Sequence, residues 1–420
     1  MDIEYEKKIE KDIKKINDLC KERDFSKALQ LCNTLLETYP NSSKVWELYR
    51  EIQEGIGDIE AAFKSYKKAI EIDSSNSKAW YSLGSLLERK DNLSDAKKYL
   101  IEATLLDDSN PIAWNNLGLI FLKEKDYNKA IRCFKQAIDL ETDYTEAWNN
   151  LGYAYYKIGN INEAKNCFYN AIKLDSHFHK AYLNLAEILI DENKFDIAEK
   201  NLEKAIKINK NDPKIYNTFG LLEEKKKNLQ KALEYYKTAI ELDSQDYTAW
   251  NNIGSIYTAL QNYKDAQISL QKSISLNPNF AEGWTSLGAL YGKLSDYRHA
   301  VECFKKAIEI DPLDYVAWHD LAIALLRAGY PQQAIRYAKK ALEIKPDYAD
   351  AMITLGEIYL SENLLSEAFN YLESAKKIYP ENPEIWRLLC EIYRREGKEQ
   401  EAGFAQENYR KYYKKNQQRM

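Results

Sequence analysis

Asparagine side chains recur along this chain at a spacing of 34 residues, as at Asn116, Asn150 and Asn184. A primary amide carries both a donor and an acceptor on one planar group, so it can pair with a backbone N–H and C=O together. Two of these asparagines belong to the phrase Ala-Trp-Asn-Asn-Leu-Gly, which begins at Ala113 and is repeated unchanged from Ala147. The chemistry that this pattern favours is the holding of an extended backbone by a row of amides.

Cysteine and histidine offer no comparable pattern. Cys133, Cys167 and Cys303 occupy the same place on the 34-residue spacing, which is typical of structural positions, and no Cys-x-x-Cys pair exists to clamp zinc. His177 and His179 are two residues apart and do not share a helical face, so we interpret them as surface residues. We therefore expect no catalytic residue, no metal and no cofactor.

The elements that position the asparagines form twelve repeats of 34 residues, which start at residue 9 and end to end reach residue 416 without an insertion. Fixed periods of this size indicate stacked repeats. Position 20 of the repeat is alanine in all twelve, position 8 is glycine or alanine in nine, and position 4 holds all eight tryptophans. Such regular spacing predicts that every repeat has the same internal packing.

Each repeat shows two buried helical faces. Positions 4, 7, 8 and 11 follow the i, i+3, i+4, i+7 pattern, and positions 20, 24 and 27 form a second such face after a polar break. We predict two antiparallel helices that cross closely at the small residues of positions 8, 20 and 27, with the large residue of position 4 filling the adjacent space. Prolines at position 32, such as Pro278 and Pro312, end the second helix.

Composition restricts the partners. The chain has 60 Lys and Arg against 65 Asp and Glu, a net charge of −5, which disfavours nucleic acid as a ligand. The chain has no run of 18 apolar residues, so we expect no membrane span. The charged N-terminal stretch lacks the apolar core of a secretory signal. These features predict a cytoplasmic protein whose partner is another protein or a peptide.

The order Trp, Leu-Gly, Tyr, Ala, Phe or Tyr, Ala, Pro within each repeat resembles the tetratricopeptide repeat. This resemblance covers nearly the whole chain and implies an all-α fold, a right-handed α-solenoid superhelix of about twelve helix-turn-helix units. It also implies a non-enzymatic scaffold that binds peptides and assembles complexes. The first and last repeats depart from the pattern, so we predict a degenerate N-terminal cap over residues 1–42, ten regular repeats over 43–382, and a C-terminal repeat with a basic capping helix over 383–420.

By the same resemblance, positions 2, 5, 6, 9, 12 and 13 of each first helix face a concave groove. The asparagines at position 6 are similar to the asparagine ladder in the repeats of O-linked N-acetylglucosamine transferase, although the catalytic domain of that family is not expected here. Successive repeats would step about 10 Å, close to three residues of an extended peptide. The predicted peptide-binding residues are Asn115, Asn116, Asn149, Asn150, Tyr153, Tyr156, Asn184, Asn217, Asn251 and Asn252.

Two alternatives stay open at this point. The asparagines at positions 5 and 6 can instead be solvated helix residues that reflect a compositional bias. The protein can also be an assembly protein that associates with itself or with a folded partner through its convex face or its end caps. Light scattering and mutation of the groove distinguish these alternatives from a peptide-binding scaffold that uses repeats 3 to 9.

Overall fold

The computed structural model describes residues 2–40 and 42–417, which form helices joined by short turns. The chain divides into two compact halves, the N-terminal half Met1–Lys210 and the C-terminal half Asn211–Met420. The helices of the N-terminal half are α1 (Asp2–Lys21), α2 (Phe25–Thr38), α3 (Ser43–Ile56), α4 (Ile59–Ile72), α5 (Ser77–Arg89), α6 (Leu93–Leu106), α7 (Pro111–Lys123), α8 (Tyr127–Leu140), α9 (Thr145–Lys157), α10 (Ile161–Leu174), α11 (His179–Asp191) and α12 (Phe195–Ile208). Those of the C-terminal half are α13 (Pro213–Lys225), α14 (Leu229–Leu242), α15 (Tyr247–Ala259), α16 (Tyr263–Leu276), α17 (Ala281–Lys293), α18 (Tyr297–Ile310), α19 (Tyr315–Arg327), α20 (Pro331–Ile344), α21 (Ala349–Ser361), α22 (Leu365–Ile378), α23 (Pro383–Arg395) and α24 (Glu399–Gln417).

The predicted helix pair and the all-α solenoid class are confirmed. In most repeats, positions 1–13 form the first helix and positions 17–30 form the second. Within each half, a first helix packs on its own second helix, and that second helix packs on the first helix of the next repeat. The boundary between the halves falls inside the predicted block of ten regular repeats; the division into caps and regular repeats stays a prediction.

The small residues lie where the two helices of a repeat cross. The alanine at position 20 is at most 2% exposed in every repeat. At position 8, a Cβ added to Gly118 would lie 2.6 Å from a ring carbon of Phe134 at position 24. That distance is too short for van der Waals contact, so the predicted steric reason for a small residue at position 8 holds.

The tryptophans do more than fill space. Each indole Nε1–H donates to the backbone carbonyl six residues earlier, in the loop that precedes the first helix, and sequence reasoning did not find this bond. The pairs are Trp46 with Pro40, Trp80 with Ser74, Trp114 with Asp108, Trp148 with Thr142, Trp250 with Ser244, Trp284 with Pro278, Trp318 with Pro312 and Trp386 with Pro380, at 2.7–3.0 Å. Tyr182 replaces tryptophan in repeat 6, and its hydroxyl reaches the equivalent carbonyl of Ser176 at 3.3 Å.

The turn inside each repeat has one fixed backbone feature. Position 15 has a positive φ in all twelve repeats, and in eight of them the residue is not glycine. Asp91 has φ 58° and Gln261 has φ 60°, values in the left-handed region that strain a residue with a Cβ. This conformation ends the first helix and reverses the chain direction into the second helix.

Candidate functional site

The predicted binding residues lie along one face of the first helices. We call this face the first-helix stripe; it consists of the side chains at positions 2, 5, 6, 9, 12 and 13. Consecutive first helices contact one another along this stripe; α7 contacts α9, and α9 contacts α11. Position 5 of one first helix meets position 6 of the next, because residues 35 apart in sequence are hydrogen-bonded there. The two asparagine positions therefore face each other between repeats.

In the N-terminal half these side chains form a continuous hydrogen-bonded row, which we call the amide ladder. It consists of Ser85, Asn116, Asn115, Asn150, Asn149 and Asn184. Asn150 Nδ2 donates to Asn115 Oδ1 at 3.0 Å, and Asn184 Nδ2 donates to Asn149 Oδ1 at 2.8 Å. Asn116 Nδ2 donates to Ser85 Oγ at 2.8 Å, so the ladder connects four successive first helices, α5 to α11.

Bonds within each asparagine pair complete the ladder. Asn115 Nδ2 lies 3.4 Å from Asn116 Oδ1, and Asn149 Nδ2 lies 3.5 Å from Asn150 Oδ1. A primary amide has two N–H donors and two acceptor lone pairs. Asn116 and Asn150 thus each keep one N–H and one lone pair beyond those that the ladder uses.

Burial separates the two asparagine positions. Asn115, Asn149 and Asn251 at position 5 are 4%, 6% and 2% exposed, so they lie between the first helices and not on the surface. At position 6, Asn116, Asn150, Asn184 and Asn252 are half-buried. The adjacent Asn-Asn pairs at 34-residue spacing were the available sequence signal for this arrangement, but the sequence did not say which of the two amides faces outward.

The C-terminal half repeats the arrangement only in part. Asn252 Nδ2 donates to Asn217 Oδ1 at 3.1 Å, and Asn217 Nδ2 in turn lies 3.2 Å from Thr248 Oγ1. The next link is missing, because Asn251 Oδ1 is buried without a hydrogen-bond partner within the described residues. Two repeats further on, position 5 of one repeat again contacts position 6 of the next: His319 Nε2 lies 2.9 Å from Thr354 Oγ1.

Tyr153 and Tyr156 lie on α9, on the same stripe as the amide ladder. The Tyr156 hydroxyl donates to Asp191 Oδ2 at 2.5 Å, and burial together with this carboxylate raises the pKa of Tyr156 above its usual range. Lys157 Nζ lies 5.0 Å from the centroid of the Tyr153 ring. The Tyr156 hydroxyl is thus already engaged, whereas both rings remain half-buried at the surface of the stripe.

The cysteines are free thiols held mainly in packed positions. Burial raises the pKa of the Cys133 thiol to about 11 and that of Cys167 to about 12, so neither is a thiolate at neutral pH. Across residues 2–40 and 42–417, no group of three or more His, Cys, Asp and Glu side chains is arranged to hold a metal ion.

Pairs of antiparallel helices with small residues at positions 8, 20 and 27, each second helix packed on the first helix of the next repeat, define a tetratricopeptide-repeat solenoid. This fold is typical of protein–protein interaction scaffolds without catalytic activity. The chain belongs to the family of the cilia and flagella-associated protein 70 C-terminal domain, whose model matches residues 22–214 and, a second time, residues 207–419. Each compact half thus corresponds closely to one copy of that domain.

A solved structure with a TM-score above 0.5 shows the same fold. The chain is similar to a crystal structure of the APC/C hetero-tetramer Cut9-Hcn1, with TM-score 0.52 and 12% identity over 94% of this chain and 92% of that chain. It is also similar to yeast Tom70 (TM-score 0.49, 17% identity, 99% of this chain, 97% of that chain) and to Pseudomonas aeruginosa pilF (TM-score 0.45, 19% identity, 51% of this chain, 96% of that chain). A comparison with curated proteins finds no match. Of the helices in the part of the chain that the structure describes, none has the length and apolarity needed to cross a membrane.

Proposed function

We propose that the protein is a non-enzymatic interaction scaffold whose first-helix stripe lines a groove and binds an extended segment of a partner protein. The amide ladder is the observation that supports this proposal. A row of half-buried position 6 amides, held in fixed orientation by their neighbours, presents donors and acceptors to the surface in one line. The proposed segment lies over repeats 3 to 6. The cytoplasmic location stays a prediction from the sequence.

Backbone recognition follows from the hydrogen bonds that the ladder leaves unused. One spare N–H and one spare lone pair on an amide match one C=O and one N–H of an extended peptide. First helices of stacked repeats lie about 10 Å apart, which is about three residues of extended chain. Asn116, Asn150 and Asn184 would therefore each bind the backbone of one residue of the segment, and the bound residues would be three apart. This binding would not depend on the side chains of the segment.

The position 5 amides support this recognition without touching the segment. Asn115 and Asn149 are buried, and each accepts a hydrogen bond from the position 6 amide of the next repeat. We assign them the role of positioning residues, which keep the outer amides in the orientation that a peptide requires. Asn217 has the same relation to Asn252 in the C-terminal half. The rings of Tyr153 and Tyr156 offer apolar contact for side chains of the segment.

A pull-down from lysate tests the proposal. The wild-type full chain is compared with the triple variant Asn116→Ala, Asn150→Ala, Asn184→Ala and with a matched control, Asn128→Ala, Asn162→Ala, Asn166→Ala. The control removes three exposed asparagines from the second helices α8 and α10 of the same half. Circular dichroism checks that all three proteins are equally helical.

We expect the groove variant to lose prey that the wild type and the control both retain. Prey retained equally by the groove variant would refute binding through the amide ladder. That result would direct attention to the second-helix faces and the terminal helix α24, where Phe404 is 62% exposed.

A further inference from the structure

Two successive links of the first-helix register lack a hydrogen-bond donor in the C-terminal half. The first is between position 5 of α15 and position 6 of α17, where Asn251 Oδ1 is buried and unpaired within the described residues. The second is between position 5 of α17 and position 6 of α19, where Asp320 is half-buried. We call Asn251, Glu282, Ser286 and Asp320 the donor-poor segment.

The sequence explains why both links lack a hydrogen-bond donor. Where repeats 5, 6 and 8 have asparagine at position 6, repeat 9 has Ser286, whose short side chain lacks the amide that would reach Asn251 Oδ1. In the next link, the Thr285 hydroxyl donates backward to the Ala281 carbonyl at 3.2 Å and so does not serve Asp320. The unpaired Asn251 oxygen and the Asp320 carboxylate are both hydrogen-bond acceptors, so what both links lack is a donor.

The charges around the segment have the same sign. Glu282 lies one helical turn before Ser286 on α17, and Asp314 caps the N-terminus of α19 through Val316 N and Ala317 N. Burial, with repulsion from Asp314, raises the pKa of Asp320 to about 6, and burial with Asp314 and Glu224 raises that of Glu282. Among the described residues, no lysine or arginine forms an ion pair with Glu282 or Asp320.

Two cations of the C-terminal half are engaged elsewhere. Lys345 Nζ lies 3.3 Å from the Tyr315 hydroxyl and 4.7 Å from the centroid of that ring, and Arg327 lies 3.9 Å from Glu357. The donor-poor segment therefore combines negative charge, a half-buried carboxylate at Asp320 and an unpaired oxygen at Asn251. A group that brings several N–H donors and a positive charge together satisfies all three features.

We propose that the donor-poor segment binds a lysine or arginine side chain from a second stretch of the partner, beyond the segment that lies over repeats 3 to 6, with Asp320 and Glu282 as the charged contacts. The cation donates beside Ser286, in the place that an asparagine amide takes in other repeats. This inference rests on the proposed function and adds the chemical class of one partner residue, in the C-terminal half.

Fluorescence anisotropy of labelled repeat peptides tests this proposal on the full chain. The probes are a Lys-Gly-Ser repeat peptide and its Gln-Gly-Ser counterpart of the same length. The variants are Asp320→Asn and Glu282→Gln, with Glu302→Gln as the matched control, which removes one negative charge from the exposed face of α18. Asp320→Asn places at position 6 the residue that repeats 4, 5, 6 and 8 already have there, so we expect it to fold.

We expect the wild type to prefer the lysine peptide, with binding that weakens as salt is added. Asp320→Asn should weaken that binding about tenfold, the effect of one charge-assisted hydrogen bond, and Glu282→Gln should weaken it by a smaller factor. Glu302→Gln should leave it unchanged.

Three results would overturn the inference: equal binding of the two peptides, equal binding by Asp320→Asn and wild type, or equal losses in Asp320→Asn and Glu302→Gln. The last would indicate nonspecific attraction by the net negative charge. None of them bears on the amide ladder of the N-terminal half, whose test is the lysate pull-down with asparagine variants. Failure of the inference is thereby distinguished from failure of the proposed function.

Discussion

The two halves of the chain share one fold but differ in the hydrogen bonds between positions 5 and 6 of successive first helices. In the N-terminal half, the asparagines at positions 5 and 6 form an unbroken row of amides from Asn116 to Asn184, which Ser85 at position 9 of α5 extends. In the C-terminal half, the same register contains an unpaired amide oxygen at Asn251 and an isolated carboxylate at Asp320. Both halves match the same family model, so the difference lies in the stripe and not in the packing.

This contrast shows which positions the solenoid constrains. Position 20 is a buried alanine in both halves because the crossing helices leave room for no larger group. Positions 5 and 6 tolerate Asn-Asn, Thr-Ser or His-Asp without a change in helix bounds. Chemistry can therefore vary at the stripe, repeat by repeat, while the packing stays the same.

The largest expected difference between the halves comes from removing a position 5 amide. Asn149→Leu removes the acceptor of Asn184 Nδ2 and the donor to Asn150 Oδ1, and we expect it to lower the free energy of unfolding by about 2 kcal/mol. Asn251→Leu removes an oxygen that is already unpaired, so we expect it to be neutral or stabilising. Urea unfolding followed by circular dichroism gives the free energies, and hydrogen exchange of α9 and α15 assigns each change to its half. Equal destabilisation by the two variants would contradict the contrast.

The second prediction concerns pH and Asp320. Because burial raises the pKa of this carboxyl to about 6 in the folded chain from an ordinary value of 3.8, the native state binds its proton more tightly than the unfolded state. The resulting contribution to stability is complete below the unfolded pKa and is lost as pH rises through the folded one, by about 3 kcal/mol.

Comparison with Asp320→Asn isolates this effect from the titration of the other groups in the chain. The variant should be the more stable protein at pH 7, and its advantage should shrink between about pH 6 and pH 4. Urea unfolding at a series of pH values measures this difference. An advantage that stays constant with pH would show that the Asp320 carboxyl has an ordinary pKa.

A smaller effect is expected from restoring the missing link. Ser286→Asn supplies a donor at the position that serves Asn149 and Asn217 in other repeats, so we expect a gain of about 1 kcal/mol in the free energy of unfolding. Ser286→Ala is the control, since it removes the hydroxyl without adding a donor and should give no gain. If the asparagine variant is no more stable than the alanine variant, the unpaired oxygen of Asn251 is satisfied in some other way.

The smallest effect is one that the halves should share. Asp91→Gly and Gln261→Gly relieve the left-handed strain at position 15, one in each half, while glycine adds freedom to the unfolded chain. We expect each to stabilise by about 0.5 kcal/mol, measured as a shift of the urea midpoint. A response in only one half would indicate that the halves also differ in their turns.

Much of this architecture could be predicted from the sequence because steric demands repeat with the period. Ala130 and Gly118 have the same neighbours as their counterparts 34 residues away, so their small size predicts the close crossing. The pairing of Asn150 with Asn115 could not be predicted, because positions 5 and 6 differ by about 100° around a helix and the rotation of each helix pair decides which one faces outward. The loop carbonyl bound by Trp114 was missed because a large side chain alone explains the position.

The indole bonds also give the chain a set of built-in spectroscopic probes. Each of the eight tryptophans is tied by its N–H to the loop that enters its repeat, so its emission depends on the geometry of that one connection. Repeats 1, 6, 7 and 11 have no tryptophan at position 4 and contribute no such signal; the residues there are Asp12, Tyr182, Tyr216 and Met352. Any partner that bends or stretches the array at the other connections will change the native fluorescence, and single Trp→Phe variants will then identify which connection has moved.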